Sequence, residues 1–381
     1  MAWFAVLGTA LIAVILWDVF ETIILPRRVT RRFRLARTFY RWTWRPWRII
    51  ACLLHRKSIR ETFLSYYGPL SLLILFVVWA VGLIFGFATL HYSAGSAINL
   101  AVNQRPGFWS DLYLSGTTFF TLGLGDVTPR TEAARIITVF ESGLGFGFLA
   151  IVISYLPVLY GAFSRREVDI SLLDARAGSP PSASEMLRRI AQRDDPRAFE
   201  ESLRDWEKWA AELMESHLSY PVLCYFRSQH NNQSWLAALT TVLDVSALLI
   251  AYGQGTLKWQ AKLTFAISRH ALVDLAQVLN TPPRDFDEER LPPAELQHLR
   301  NLLVSAKLSE CCPEEDQRFA HLRRMYEPYA RALSDRLLMP IGKWAPEPQV
   351  IDNWRTSAWA RISATEFESS PLAQAEEKEH F

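Results

Sequence analysis

The sequence predicts an all-α membrane protein in two parts: spanning helices with a re-entrant loop, then a helical aqueous domain. Three observations carry this. Runs 3–25, 68–90 and 136–160 are each long and apolar enough for the roughly 20 residues a bilayer core requires. Half of the 381 residues are hydrophobic and 13% are aromatic, a composition richer in apolar side chains than most soluble chains. The net charge of +2 conceals an asymmetry: residues 1–164 carry 15 Lys/Arg and 7 Asp/Glu, whereas residues 165–381 carry 26 and 32. A basic, apolar first part and an acidic, polar second part fit a membrane domain followed by an aqueous one.

The first run forms an N-terminal transmembrane helix over 1–26. It lacks a basic leader and is followed by arginine, which favours a retained helix over a cleaved signal peptide. Asp18 and Glu21 share one face near its end. They read as partners for nearby arginines, or as a proton or ion site.

The juxtamembrane segment 27–66 is basic. Residues 27–60 hold twelve Lys/Arg and no acid, which places them in the cytoplasm and the N-terminus outside. Arg27, Arg31, Arg34, Arg41, Arg45 and Arg48 recur at three- and four-residue steps, with Thr38 filling the gap, and make one helical stripe. Trp42, Trp44 and Trp47 lie among them, and Pro46 limits the helix. Either a helix lies in the interface against anionic lipid, or the charges only set topology. The segment is too polar to span as a voltage sensor.

The third part, 67–164, contains the two remaining runs. Between them, residues 108–121 read as a short helix with Ser110 as N-cap and Asp111 in its first turn. A helix too short to cross, followed by the glycine-rich stretch Thr121-Leu122-Gly123-Leu124-Gly125, reads as a re-entrant loop. Alternate glycines permit positive φ, so that successive carbonyls point one way. Several copies around an axis would stack oxygen rings able to replace the water shell of a cation. Thr121 adds a hydroxyl, and a ring of Asp126 would concentrate cations at the mouth.

Residues Thr118-Phe119-Phe120-Thr121-Leu122-Gly123-Leu124-Gly125-Asp126 match the pattern TxxTxGxGD. With its flanking helices, the chain over about residues 68–160 resembles the potassium-channel family. The resemblance implies a potassium-channel-like pore module (helix, pore helix, filter, inner helix) and a homotetramer, since one loop per chain needs four chains. It implies K+ held at Thr121, Leu122, Gly123 and Leu124, with Gly125 completing the filter. It further implies that the inner-helix hinge is Gly145. Leu124 departs from the commoner Tyr and removes a phenolic hydrogen bond behind the filter, although GLG filters occur in the family. A weakly selective cation channel, or a non-conducting membrane-anchored sensor or scaffold, is the alternative.

Gly143 and Gly147 flank Gly145, which suggests either bending or close packing. Pro157 could kink the cytoplasmic end, where a gate would close. Glu141 lies in the outer half of the inner helix and is expected to support the filter by bonding Thr117 or Thr118.

Residues 165–185 read as a linker and 186–364 as an all-α cytoplasmic domain, with Ser184 as a cap and a disordered tail over 365–381. Helical periodicity covers 185–217, 234–251, 257–280, 293–309 and 314–338. The apolar stretch 236–251 contains Asp244 and reads as a buried helix of this domain. There is no GxGxxG after a strand, no Walker loop and no catalytic constellation, so no enzyme is expected. The acidic run 285–289 lacks the glycine of an EF-hand. The four cysteines, Cys52, Cys224, Cys311 and Cys312, have no metal-ligand spacing and read as free thiols. The expected partners are copies of the chain and anionic membrane lipid, in a cell membrane. Neither nucleic acid nor a cofactor is expected, K+ being the permeant ion.

Overall fold

The computed structural model describes residues 2–25, 34–99, 106–191, 196–230, 232–285, 289–305 and 313–345. The chain is an all-α membrane protein with a channel-like pore module. It divides into two compact units between Gly161 and Ala162.

The first unit contains α1 (Ala2–Val19), which passes into a π-helical turn (Phe20–Ile24), then α2 (Leu35–Leu53), α3 (Lys57–Ser93) and α4 (Phe108–Phe119). It also holds the greater part of α5 (Glu132–Ala177). α1 with its turn, α3 and α5 are each long and apolar enough to cross a membrane. Two short strands, β1 (Ile98–Asn99) and β2 (Thr128–Pro129), pair antiparallel, with Ile98 opposite Pro129. They join the two loops that flank α4.

α1 packs along α3 through small residues. A Cβ on Gly8 would lie 2.7 Å from the Gly86 carbonyl oxygen, so the two backbones touch where neither helix has a side chain. Asp18 and Glu21 divide their roles. The Arg34 guanidinium lies 3.9 Å from Glu21, as an arginine partner should. Asp18 instead accepts from the Ala36 backbone N–H, at 3.1 Å, and from Trp79 Nε1, at 2.9 Å. A carboxylate from α1 therefore caps the positive end of α2 and ties both helices to α3.

Pro46 does not stop α2, which runs on to Leu53. The backbone bond lost at Pro46 is offset by aromatic packing on either side. Trp47 stacks on Phe63 with centroids 4.3 Å apart, and Trp44 meets Tyr67 edge-on at 4.7 Å. Arg34 is not lipid-facing: its Nη2 donates to the Glu21 carbonyl and to Thr22 Oγ1. Arg41 and Arg45 are exposed and Arg48 is half-buried, whereas Arg27 and Arg31 lie outside the described residues.

The expected linker 165–185 is mostly helix. α5 continues to Ala177, and α6 begins at Ala183. The reason is Arg166. Its side chain is buried in the second unit, where it donates to the carbonyls of Leu223 and Phe226 and to Glu167. α5 ends at Gly178, whose φ of +82° suits a left-handed helix terminus.

The second unit continues with α6 (Ala183–Ala191), α7 (Pro196–Ser219), a 3-10 turn (Pro221–Tyr225), α8 (Trp235–Tyr252), α9 (Gly255–Val278), α10 (Pro293–Ser305), α11 (Pro313–Arg324) and α12 (Glu327–Leu337). The stretches 185–217 and 314–338 are each two helices rather than one. Proline explains both breaks: Pro196 opens α7, and Pro328 sits in the first turn of α12, positions where its missing N–H costs little. Ser184 lies inside α6, and the capping hydroxyl is that of Ser182, which accepts from Glu185 N at 3.4 Å. The tail 365–381, Cys311, Cys312 and residues 286–288 of the acidic run lie outside the described residues.

α8 is apolar and long enough to cross a membrane, yet every one of its residues is buried within the unit. It is the core helix around which this unit forms. Its charge, Asp244, accepts from both Nη atoms of Arg290 and from the Tyr326 hydroxyl. Arg290 also reaches Glu327 at 3.1 Å and lies 5.0 Å over the Trp344 ring. Truncation at Arg290→Met leaves Asp244 buried without its counter-charge. The expected cost is about 3–5 kcal/mol, read as loss of hydrogen-exchange protection in α8 of the full-length protein. Unchanged protection would show that Tyr326 alone suffices.

His217 is also fully buried. Its Nδ1 meets the Leu213 carbonyl at 2.9 Å and its Nε2 meets Arg166 Nη1 at 3.2 Å, which assigns the neutral tautomer with the proton on Nδ1. Burial, reinforced by the Arg166 guanidinium, pushes His217 well below its ordinary value. The folded state thus excludes a proton that the unfolded chain binds. The contribution is complete above about pH 6.5 and falls below it by up to about 1.4 kcal/mol per pH unit. His217→Gln should flatten this part of the stability profile between about pH 7 and about pH 5. Identical slopes in the two proteins would show that His217 is already protonated when folded.

Candidate functional site

The site is built on α4. Gly107 precedes the helix, and Ser110 sits within its first turn rather than at the cap. Ser110 Oγ accepts from Gly107 N at 2.9 Å and donates to Gly107 O at 2.7 Å. Asp111 does more than favour the helix dipole. It is fully buried and accepts from Ser96 Oγ, which fastens the loop after α3 to the start of α4.

One turn on, Ser115 contacts the other two helices. Its Oγ lies 2.8 Å from the Ile84 carbonyl of α3 and bonds Glu141 Oε1 of α5. The second Glu141 oxygen is 3.4 Å from His91 Nε2. Glu141 therefore braces α4 from behind through Ser115 and His91, and not through Thr117 or Thr118. Thr117 Oγ1 donates instead to the Leu114 carbonyl, at 3.0 Å. The geometry decides this: Ser115 is buried on the α3/α5 side of α4, whereas Thr117 and Thr118 are only half-buried.

The far end of α4 presses on α5. A Cβ on Gly145 would lie 2.1 Å from the Phe119 carbonyl oxygen, inside any permitted contact. The Phe119 ring is buried and approaches Phe148 at 5.8 Å. Close packing accounts for the glycine at 145, whereas a Cβ at Gly143 or Gly147 would meet nothing within 4 Å in one protomer. Pro157 lies inside α5, which continues through it.

After Phe119 the chain turns on three backbone bonds: Phe120 N to Gly116 O at 3.1 Å, Thr121 N to Thr118 O at 3.0 Å and Leu122 N to Thr117 O at 2.8 Å. From there φ is positive at every second residue, +56° at Thr121, +55° at Gly123 and +79° at Gly125. Leu122 and Leu124, between them, have negative φ. Alternation of this kind turns each peptide plane so that successive carbonyls can face the same side. Glycine tolerates the left-handed region freely; Thr121 adopts it at a cost. Among the described residues the loop is largely uncovered within the protomer: Leu122 is 62% and Leu124 64% exposed.

Asp126 ends the loop, and Tyr113 Oη donates to it at 2.9 Å. That bond pins the end of the loop to the middle of α4. The β1–β2 pair then returns the chain to α5, where Thr131 Oγ1 accepts from Ala134 N at 3.3 Å.

Sequence reasoning found the loop and Glu141 but missed Tyr113, Ser115 and His91. The last two carried a readable signal, as polar groups in or beside apolar runs. Tyr113 carried none, because a tyrosine thirteen residues before an aspartate has no periodic meaning until α4 folds back beside the loop.

A family model described as "Ion channel" matches residues 73–159, a stretch that includes all of α4 and the loop. The chain is also similar to the uncharacterized membrane protein YdjJ of Bacillus subtilis (strain 168), at 23% identity over 220 residues, 58% of this chain and 62% of that protein. The chain thus spans less than two thirds of that relative's length. No solved structure matches.

Gly145→Ala forces a methyl into the Phe119 backbone. The expected cost is about 1–3 kcal/mol, seen as a lower melting temperature of the detergent-purified protein. A melting temperature equal to that of the unmodified chain would show that α4 and α5 can separate at this point without penalty.

Proposed function

We propose that four copies of this chain form a potassium-selective channel in a cell membrane. The observation that carries the reading is the alternation of φ over Thr121, Gly123 and Gly125 directly after the C-terminal end of α4. A loop with unsatisfied carbonyls and exposed leucines has no stable place in hydrocarbon by itself. Around a four-fold axis, the leucines find cover against neighbouring copies and the carbonyls find a common ligand. The carbonyls of Thr121, Leu122, Gly123 and Leu124, with the Thr121 hydroxyl, would then replace the water around K+. Asp126, held by Tyr113, would draw cations to the mouth. The partly negative end of α4 favours a cation beneath the loop.

Leu124 supplies no phenol behind the filter. In this reading the Tyr113–Asp126 bond limits the loop from outside, and the Ser115–Glu141–His91 cluster limits it from behind. Gating would move α5 about the contact between Gly145 and Phe119, with Pro157 as a second flexible point. The excess of basic residues over 27–60 supports an N-terminus outside and the second unit in the cytoplasm.

The test is planar-bilayer recording of the reconstituted full-length protein. The reversal potential should move by about 59 mV for each tenfold K+ gradient and respond little to Na+. Gly123→Ala should abolish the current. A reversal potential that follows Na+ as strongly would replace this reading with a weakly selective cation pore. Absence of any current would favour a sensor or scaffold.

A further inference from the structure

α2 presents three different faces. One is buried against α3: Trp44 and Trp47 pack on Tyr67 and Phe63, and Thr43 Oγ1 meets Tyr67 Oη at 2.9 Å. The second is apolar and bare, with Trp42 69%, Ile49 63% and Leu53 68% exposed. The third is basic: Arg37, Arg41 and Arg45 follow one another at four-residue steps and are all exposed. α2 contains no Asp or Glu, and among the described residues none of these three arginines has a carboxylate partner.

These faces require different surroundings. An indole and two aliphatic side chains left in water forgo the favourable transfer of their apolar surface. Three guanidinium groups drawn into hydrocarbon would cost far more than that transfer returns. Both demands are met only where hydrocarbon and water adjoin. The attachment of α2 sets this level independently. Phe63 and Tyr67 stand immediately before the uncharged run 68–90 of α3, where that helix would enter the bilayer core. The Asp18 cap fixes the other end of α2 to α1.

From this arrangement we infer that α2 lies in the headgroup layer and binds the anionic lipid of that leaflet, with its apolar face among acyl chains and Arg37, Arg41 and Arg45 on phosphate oxygens. Guanidinium groups suit phosphate because their planar N–H groups can donate in pairs. The structure also changes which residues do this. Arg34 is committed to Glu21 and Thr22, Arg48 is half-buried, and Arg37, outside the stripe read from sequence, joins it. A protein partner would have to present carboxylates beside an apolar strip at headgroup depth. An anionic leaflet presents that pairing along its whole surface.

The test does not depend on ion conduction, so its outcome is separate from that of the channel reading. The full-length protein is equilibrated with equal amounts of phosphatidylglycerol and phosphatidylcholine in detergent micelles, and retained lipid is counted by native mass spectrometry. The unmodified protein should retain phosphatidylglycerol in excess by about fivefold or more. The triple variant Arg37→Gln, Arg41→Gln, Arg45→Gln should approach parity, and the corresponding lysine triple should keep most of the excess. If the glutamine triple fails to fold, Arg41→Gln alone decides, with an expected loss of about threefold or more. Equal retention of both lipids by the unmodified protein, or undiminished preference in the glutamine variant that folds, would overturn the inference.

Discussion

A peptide backbone that is not helical has no water to bond inside a bilayer. In the proposed channel the residues from Thr121 to Gly125 carry that constraint, and the surrounding contacts can be read as responses to it. The φ alternation presents carbonyls without pairing them to one another. The Phe119 backbone is backed by Gly145, where no side chain intervenes. Asp126 is tied to Tyr113, so the loop is held at both of its ends while its middle stays open. A loop supported only at its ends keeps its oxygens available for a ligand, which in the proposed channel would be a cation without its water shell.

Support from behind is polar, in a place where polarity is expensive. Ser115, Glu141 and His91 come from three different helices and are all buried. Ser115 Oγ reaches both the Ile84 carbonyl and Glu141 Oε1, while the second Glu141 oxygen stands 3.4 Å from His91 Nε2. The cluster brings α3, α4 and α5 together at one height, and the Ser115 contacts to Ile84 and Glu141 supply its directional part. α1 is joined to the same framework by a comparable device, the Asp18 carboxylate that serves both Trp79 of α3 and the N-terminus of α2.

The second unit solves a related problem in a different medium. α8 is as apolar as a spanning helix, and the unit surrounds it completely. The Asp244–Arg290–Tyr326 contact and the Arg166–His217 contact are two buried charged contacts in that unit. Each joins residues far apart in sequence, so each acts only once the helices have met. Misalignment of α8 would leave a buried charge unpaired, a penalty large compared with that of a displaced methyl group.

What the sequence determined by itself was local. Runs of apolar residues marked the three long helices of the first unit, and helical periodicity marked most helices of the second. The spacing of Thr121, Gly123 and Gly125 indicated the loop conformation, because φ preference belongs to single residues and their neighbours. Tertiary structure decided the partners. Glu141 meets Ser115 and His91, Arg34 turns inward to Glu21, Arg166 is buried in helix where a linker was expected, and Pro46 is carried inside a helix by aromatic packing. In each case several partners lay within reach along the chain. The choice among them depended on which face each helix turns toward its neighbours, and that is set only when the packed helices exclude water together.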